Sequence, residues 1–318
     1  MGSRVADENR SNMTKRLPGA RATPRPRGFS ALGARGEAAA LAPGLHVVAT
    51  PIGNLGDVSL RALATLAAAD AILAEDTRVT RRLLDRYDIS APLVAYHEHN
   101  AAVVRPRILG RLAAGEALAL VSDAGTPLVS DPGYKLVADA AAAGIAVFAL
   151  PGPCAAIAAL VTAALPTDRF FFEGFLPAKS AARRERIAAL ASIPATLVFY
   201  EAPGRLAESL ADLAAGLGPR PAAVARELTK LHEETRRATL AELAGHYGAS
   251  GAPKGEIVVV VGPPPPAAKP AAATLDAMIL DALADLSVKD AAAAVALEAG
   301  LPRREVYARA LRLAGTRR

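Results

Sequence analysis

A single cysteine, Cys154, leaves the chain without any internal disulfide or cysteine-cluster zinc site. The five histidines, His46, His97, His99, His232 and His246, form no HExxH pattern. His97 and His99 flank Glu98, and on a strand both rings would share one face, as a metal pair or as an exposed polar strand end. No metal is assigned. Long apolar runs are missing as well: none reaches the ~18–20 residues of a membrane span, and the start has no compact apolar stretch of the signal-peptide kind. The Arg-rich beginning has something of a transit peptide, but a cytoplasmic bacterial protein with no membrane segment is the plainer reading. Phosphate-binding glycine motifs are also lacking. Gly53 and Gly56 stand where a dinucleotide site needs three glycines, and no GxxxxGK[ST] occurs, so a ligand without phosphates is expected.

What is present is a chain of 318 residues, 52% hydrophobic, long enough for about two ordinary domains. The formal charge of +6 is unevenly spread. Residues 1–40 carry eight Lys/Arg against three Asp/Glu, and residues 302–318 carry six Arg against Glu305, which leaves the middle mildly acidic. Basic ends on an acidic body suit either a polyanionic partner such as nucleic acid or plain solvated tails.

Residues 1–43, with Thr23-Pro24-Arg25-Pro26-Arg27-Gly28, lack periodicity and are read as a flexible basic tail. From 44 to 165 short apolar strands alternate with helices. Strands are expected at 45–49, 71–74, 93–97, 117–121 and 146–150, with a helix capped by Asp57, a basic helix from Thr77, and further helices near 100–114, 133–143 and 155–164. This predicts a largely parallel α/β sheet. Leu165-Pro166-Thr167-Asp168 marks a boundary, and 166–262 reads as a second α/β domain. Its strands lie near 170–175, 196–201, 222–228, 232–238 and 256–261, two of them consecutive, which predicts a mixed sheet. A Pro/Ala linker at 263–273 leads to helices near 274–284, 287–299 and 302–314. With Gly300 between a helix and a basic helix, the 274–318 segment fits a helix-turn-helix or an ordinary helical hairpin packed on the body.

In an open α/β sheet, ligands collect outside the carboxyl ends of strands. Three loops at such ends are rich in Gly, Pro and small residues: Thr50 to Asp57, Ser122 to Gly133, and Pro151 to Ala156. Glycine lets the backbone approach a ligand closely and proline fixes the loop. Acidic side chains at strand ends, Glu75, Asp76, Asp123 and Glu201, suit either a base acting on a hydroxyl or simple capping and salt bridging.

These stretches occur in a recognisable order. Ala49-Thr50-Pro51-Ile52-Gly53-Asn54-Leu55 is followed by Ala74-Glu75-Asp76-Thr77-Arg78, by Ser122-Asp123-Ala124-Gly125-Thr126-Pro127, and by Ser130-Asp131-Pro132-Gly133-Tyr134. Then come Pro151-Gly152-Pro153-Cys154-Ala155, Glu173-Gly174-Phe175-Leu176-Pro177, Phe199-Tyr200-Glu201-Ala202-Pro203 and Ala225-Arg226-Glu227-Leu228-Thr229-Lys230. From about Leu45 to Gly262 the chain resembles the ribosomal RNA small subunit methyltransferase I family of the tetrapyrrole methylase superfamily.

The resemblance implies a two-domain tetrapyrrole methylase-like (class III methyltransferase) α/β fold with a C-terminal helical extension. It also implies S-adenosyl-L-methionine bound between the domains, and 2′-O-methylation of a cytidine in the decoding region of 16S rRNA, within the small ribosomal subunit, by a homodimer. Carried over by position, the cofactor would lie against Pro51, Gly53, Asp123, Ala124, Gly125, Val129, Ser130, Asp131, Pro153, Cys154 and Ala155. The second domain would add Tyr200, Leu228 and Gly255. Glu75, Asp76 and Glu201 are the catalytic candidates. Lys179, Arg183, Arg184 and Arg205, with Arg303 and Arg304 in the last helix, are candidates for RNA phosphates, or else charged surface. Members often carry His directly after the Ala-Pro that ends the Phe199 to Pro203 marker; here Gly204 stands there, so no histidine can act at that point. Two other functions fit parts of the pattern: a tetrapyrrole C-methyltransferase on the same fold, and a nonenzymatic nucleic-acid-binding protein using the C-terminal helices.

Overall fold

The computed structural model describes residues 27–265 and 271–315. Of residues 1–43, read as tail, 1–26 lie outside the described residues, but the rest of that segment does not conform to the reading. Gly28–Ala31 (β1) and Ala34–Glu37 (β2) form an antiparallel hairpin. Leu32 and Gly33 both take positive φ, 51° and 77°, in a two-residue turn whose twist suits a hairpin. Phe29, Ala31, Ala38 and Leu41 pack against the first domain's core, and the Ser30 amide donates to the Tyr87 carbonyl at 2.8 Å. A few hydrophobic side chains are enough to anchor a segment whose composition resembles a tail.

The first sheet contains Gly44–Val48 (β3), Ala71–Ala74 (β4), Leu93–Ala95 (β5), Ala117–Val121 (β6) and Val147–Leu150 (β7), all parallel in the order β5-β4-β6-β3-β7. β4 and β6 are buried throughout, which is why they read as unbroken apolar runs rather than alternating ones. The helices are Leu60–Ala68 (α1), Thr77–Arg86 (α2), Ala101–Ala113 (α3), Tyr134–Ala142 (α4) and Ala155–Thr162 (α5). The expected Asp57 cap is not used. Residues 55–57 make a short 3-10 turn, so α1 starts later, and the Ser59 hydroxyl accepts from the Ala62 amide at 3.1 Å. Asp76 does cap α2, its carboxylate accepting from the Arg78 amide at 2.8 Å.

The second sheet is mixed. Phe170–Phe175 (β8), Thr196–Glu201 (β9), Pro221–Arg226 (β10), Glu234–Thr239 (β11) and Ile257–Val261 (β12) run in the order β11-β10-β12-β9-β8, with only β8 and β9 parallel. Alternate residues divide between two cores, as the two-residue strand period requires. Leu197, Phe199, Val224, Ile257 and Val259 face Ser180–Leu190 (α6), Leu206–Leu217 (α7) and Leu240–Ser250 (α8). Val198, Ala223, Ala225, Val258 and Val260 face the opposite way, onto Ala156, Ala159 and Leu160 of α5. The last helix of the first strand–helix series therefore lies on the second sheet, and this packing holds the two sheets in one body.

α6 carries two of the arginines expected at RNA. Arg183 is only 2% exposed, donating to the Asp212 carboxylate at 2.7 Å and to the Ala178 carbonyl at 3.3 Å. Arg184 shares the same carboxylate at 3.1 Å. Arg183 is thus a buried structural cation, not an RNA contact, and sequence alone does not reveal that its partner is a helix away. Asp212→Ala should leave that buried charge with only the exposed Glu208 at 3.5 Å and cost about 3–5 kcal/mol, whereas Arg183→Met together with Asp212→Leu should be far milder. Equal urea-unfolding free energies for the two variants would contradict this account.

Residues 266–270 of the expected 263–273 linker lie outside the described residues, and its last two positions already belong to a helix: Ala272–Asp285 (α9), Val288–Glu298 (α10) and Arg303–Gly315 (α11) form a separate unit. It has its own core of Leu275, Ile279, Ala292, Val295, Leu301, Val306 and Ala310. Ser287 caps α10, and Gly300 at φ 60° turns the chain into α11. Arg309 is held inside the unit by Asp276 at 2.5 Å, while Arg303 and Arg304 are exposed.

Candidate active site

Three loops at the carboxyl ends of β3, β6 and β7 are laced together by backbone and hydroxyl groups. Thr50 and Gly125 exchange backbone hydrogen bonds of 2.8 and 3.1 Å. The Thr50 hydroxyl donates to the Ser122 carbonyl at 3.2 Å, and the Thr126 hydroxyl donates to the Pro153 carbonyl at 3.0 Å. Gly125 has φ 82°, and a Cβ there would stand 3.3 Å from Ile52. Leu128 and Ser130 also take positive φ, 73° and 64°, without being glycine. Such backbone is unfavourable for ordinary residues and persists where surrounding bonds over-determine it, commonly around ligands.

Facing these loops are β9, β12 and the turn before β12. Between the two sets lies a cleft of about 380 Å³, within the range of small-molecule sites. One wall is Ile52, Asp123 to Thr126, Val129 to Asp131, and Ala155; the other is Phe175, Tyr200 to Pro203, and Gly255 to Val258. Of the residues expected at a cofactor, Asp123, Ala124, Gly125, Val129, Ser130, Asp131, Ala155, Tyr200 and Gly255 line this one cleft. Pro51 and Gly53 line an adjoining hollow of about 510 Å³ that shares Ile52, Asp123, Ala124 and Glu256 with the cleft. Gly53 makes room for protein, since a Cβ on it would meet Lys230 at 2.6 Å. Pro153 serves through its carbonyl, and Leu228 is a 7% exposed member of the α5 core. Cys154 is half-buried and caps no helix amide with its side chain. Sequence reasoning misses Ile52, Phe175, Ala202, Pro203 and Glu256 to Val258, although all but Glu256 to Val258 sit inside marker stretches.

The acidic candidates separate clearly. Glu201 is 3% exposed and fully engaged: it accepts from the Ser209 hydroxyl at 2.5 Å and the Ala202 amide at 2.8 Å, and pairs with Arg205 at 3.3 Å. It is a strut, and Arg205, which also donates to the Leu176 carbonyl at 2.7 Å, is part of it rather than an RNA contact. Asp76 is tied to Arg78 by side-chain and backbone hydrogen bonds, which hold its carboxyl down at about 2 and make it a poor base. Glu75 is different. Burial, then the charges of Asp123 and Asp131, push its carboxyl above the ordinary glutamate range. Asp131 is likewise raised, by burial first, against a lowering hydrogen bond from Ser122. Among the described residues, Glu75, Asp123 and Asp131 have no ion-pair partner within 4.0 Å, although the Asp76 amide donates to Asp123 at 2.9 Å. Unpaired carboxylates around a cleft favour a cationic ligand.

Comparison with known proteins agrees with the geometry. The model of the Tetrapyrrole (Corrin/Porphyrin) Methylases matches residues 44–244, and that of the RsmI C-terminal HTH domain matches residues 269–314. A ribosomal RNA small subunit methyltransferase I from Mesorhizobium japonicum is 51% identical over 87% of this chain and 94% of its own length. Its counterpart in Pseudomonas aeruginosa is 49% identical over 85% of this chain and 98% of its own. Uroporphyrin-III-C-methyltransferase from Thermus thermophilus shares the fold, with a TM-score of 0.51 at 22% identity over 69% of this chain and 94% of that one. The chain belongs to the tetrapyrrole methylase family and, within it, to the ribosomal RNA small subunit methyltransferase I family.

Proposed function

We propose that the chain transfers a methyl group from S-adenosylmethionine, bound in the 380 Å³ cleft, to the 2′-oxygen of a cytidine in the decoding region of 16S rRNA. Its family makes it an rRNA methyltransferase; the atom, the nucleotide and the residues in their roles are the proposal. The small subunit as substrate, a homodimer and a cytoplasmic setting belong to the same reading and rest on the family resemblance. Among the described residues, no helix is long and apolar enough to cross a membrane. A porphyrin-type substrate is disfavoured because the likeness to such enzymes is one of fold, whereas the rRNA relatives match at about half of all positions.

The observation that carries the cofactor assignment is the cluster of unpaired carboxylates on a glycine-containing wall. S-adenosylmethionine, when bound, supplies an electrophilic methyl on a positively charged sulfur. Asp123 and Asp131 would offset that charge, and Gly125, at positive φ, would let the backbone come close, whereas Gly255 lacks a side chain because Glu227 fills that space. Ile52, Val129 and Val258 would exclude water from one side. Asp131 is held up by burial, and a cation favours its ionised form, so binding should release protons. Cofactor affinity should therefore fall as pH drops through the raised value. Calorimetry in buffers of different ionisation enthalpy, carried down into the acid range where Asp131 is partly protonated, reads this directly, and a binding heat independent of buffer throughout that range would remove Asp131 from the site.

Glu75 would take the proton of the ribose hydroxyl. It lines a hollow of about 520 Å³ whose wall includes Ser130 and Asp131, shared with the cleft. A raised pKa makes it a stronger base, active only above that value, so kcat should climb with pH through an acid limb. Glu75→Gln should lower kcat by about 10²–10⁴-fold and abolish that limb, with cofactor affinity little changed. An unaltered pH profile would exclude the role. The function itself is tested by mapping 2′-O-methylation on 16S rRNA from cells lacking the gene, and by methyl incorporation into their small subunits; a porphyrin precursor methylated instead would reject it.

A further inference from the structure

We infer that the exposed face of α2, through Arg81 and Arg82, grips the ribose–phosphate backbone of the substrate RNA beside the cleft. The inference rests on the rRNA reading above and adds the surface that positions the RNA.

The sequence marks α2 as basic, with Arg78, Arg81, Arg82 and Arg86 in ten residues. The structure sorts these by their partners. Arg78 is paired with Asp76 at 2.6 Å, and Arg86 lies over the Tyr87 ring at 5.5 Å. Arg81 and Arg82 are exposed and have no hydrogen bond or ion pair among the described residues. The arginines first expected at RNA in the second domain show the reverse: Arg183 is spent on Asp212, Arg205 on the buried Glu201, and Arg184 is shared with Asp212. Unspent guanidinium groups are the ones able to take phosphates, in the forked geometry that suits them.

Position makes the case specific. α2 begins where β4 ends, at the ligand side of the first sheet. Arg82 lines the 510 Å³ hollow that shares Ile52, Asp123 and Ala124 with the cofactor cleft. Arg81 lines an open hollow on the helix with Thr77, Arg78 and Leu93. Val79 and Leu55, 37% and 40% exposed, add apolar surface at the rim of the first hollow for a sugar or base. The helix is also held in register with the cofactor loop. Leu83 and Leu84 bury its inner face, and the Asp76 amide at its start donates to the Asp123 carboxylate. Phosphates bound at Arg81 and Arg82 would thus be fixed relative to the loop that holds the methyl donor, which is what alignment of a ribose hydroxyl requires.

The test uses the full chain and small subunits from cells lacking the gene, with Arg81→Ala/Arg82→Ala, Arg81→Lys/Arg82→Lys, and Arg107→Ala on an exposed part of α3 as a control for charge alone. Subunit binding by filter retention, methyl transfer, and cofactor affinity by calorimetry are measured for each. The double alanine variant should weaken subunit binding and kcat/KM by about tenfold or more, as removal of charge-assisted hydrogen bonds would. It should flatten the salt slope by roughly 0.7 per phosphate contact on unpaired RNA. Cofactor affinity should stay the same, the lysine pair should recover most of the slope, and Arg107→Ala should do much less. Unchanged subunit binding and slope, or an effect matched by Arg107→Ala, would overturn the inference. So would a loss of cofactor affinity, which would assign these arginines to the cofactor's carboxylate. If the wild type binds subunits but transfers no methyl group, the functional reading fails while the binding comparison still decides the role of α2.

Discussion

Gly125→Val is expected to lower S-adenosylmethionine affinity by about a hundredfold or more, the scale of effect that an ångström of misplacement has in a preorganised site. Gly125 has φ 82°, where a β-branched residue is strained, and its backbone forms both hydrogen bonds to Thr50. Valine would have to give up that φ or those bonds, and in either case the loop carrying Asp123 moves relative to the one carrying Ile52. Even the first carbon of a side chain would stand 3.3 Å from Ile52, so the cleft wall has no slack. Backbone strain of this kind costs about 1–3 kcal/mol, so the protein should stay folded but melt at lower temperature. Gly110→Val, at a helical glycine with open space around it, serves as the comparison. Affinity equal to wild type in Gly125→Val would show that this loop does not hold the cofactor.

The loop is recognisable in the sequence because its chemistry is local. Ser122 to Gly133 has the small residues, the aspartates and the prolines that a tight turn at a strand end needs, whatever the rest of the chain does. The central strands of the first sheet, β3, β4 and β6, are legible for a related reason: two-sided burial writes an apolar run that no partner can disguise. Long-range partnership is not legible. Arg183 and Arg81 look alike as residues on basic helices, yet Asp212 occupies the first and nothing among the described residues occupies the second. Glu201 and Glu75 both end strands, but Ser209 and Arg205 reach only Glu201. The hairpin at 28–37 escapes sequence reasoning because Pro- and Arg-rich sequence precedes it, and its anchoring side chains enter a core formed mainly by later residues. Gly53 fits both accounts by sequence, and only Lys230, almost two hundred residues on, shows that it makes room for a side chain.

Truncation after Pro263 should leave cofactor affinity nearly intact while weakening small-subunit binding and flattening its salt dependence. The reason lies in how the C-terminal segment is built. Leu275 and Val295, which could have served to bind it to the body, are 4% and 2% exposed within the unit's own core of three helices. Leu297 is 87% exposed and Leu286 45%, so the segment's folding does not need them buried. A unit with its own core can be removed without opening another. Its contribution to RNA would come from Arg303 and Arg304, exposed at the start of α11, where the turn at Gly300 leads into the helix. Arg309 is excluded by its bond to Asp276. Without these two arginines on phosphates, the salt slope should shrink by about 1.4–1.8, at 0.7–0.9 for each phosphate. Arg303→Ala/Arg304→Ala in the full chain should reproduce most of that change without disturbing the unit's core. A truncated protein that melts far lower, loses cofactor binding and keeps the original salt slope would make the segment a stabilising element instead.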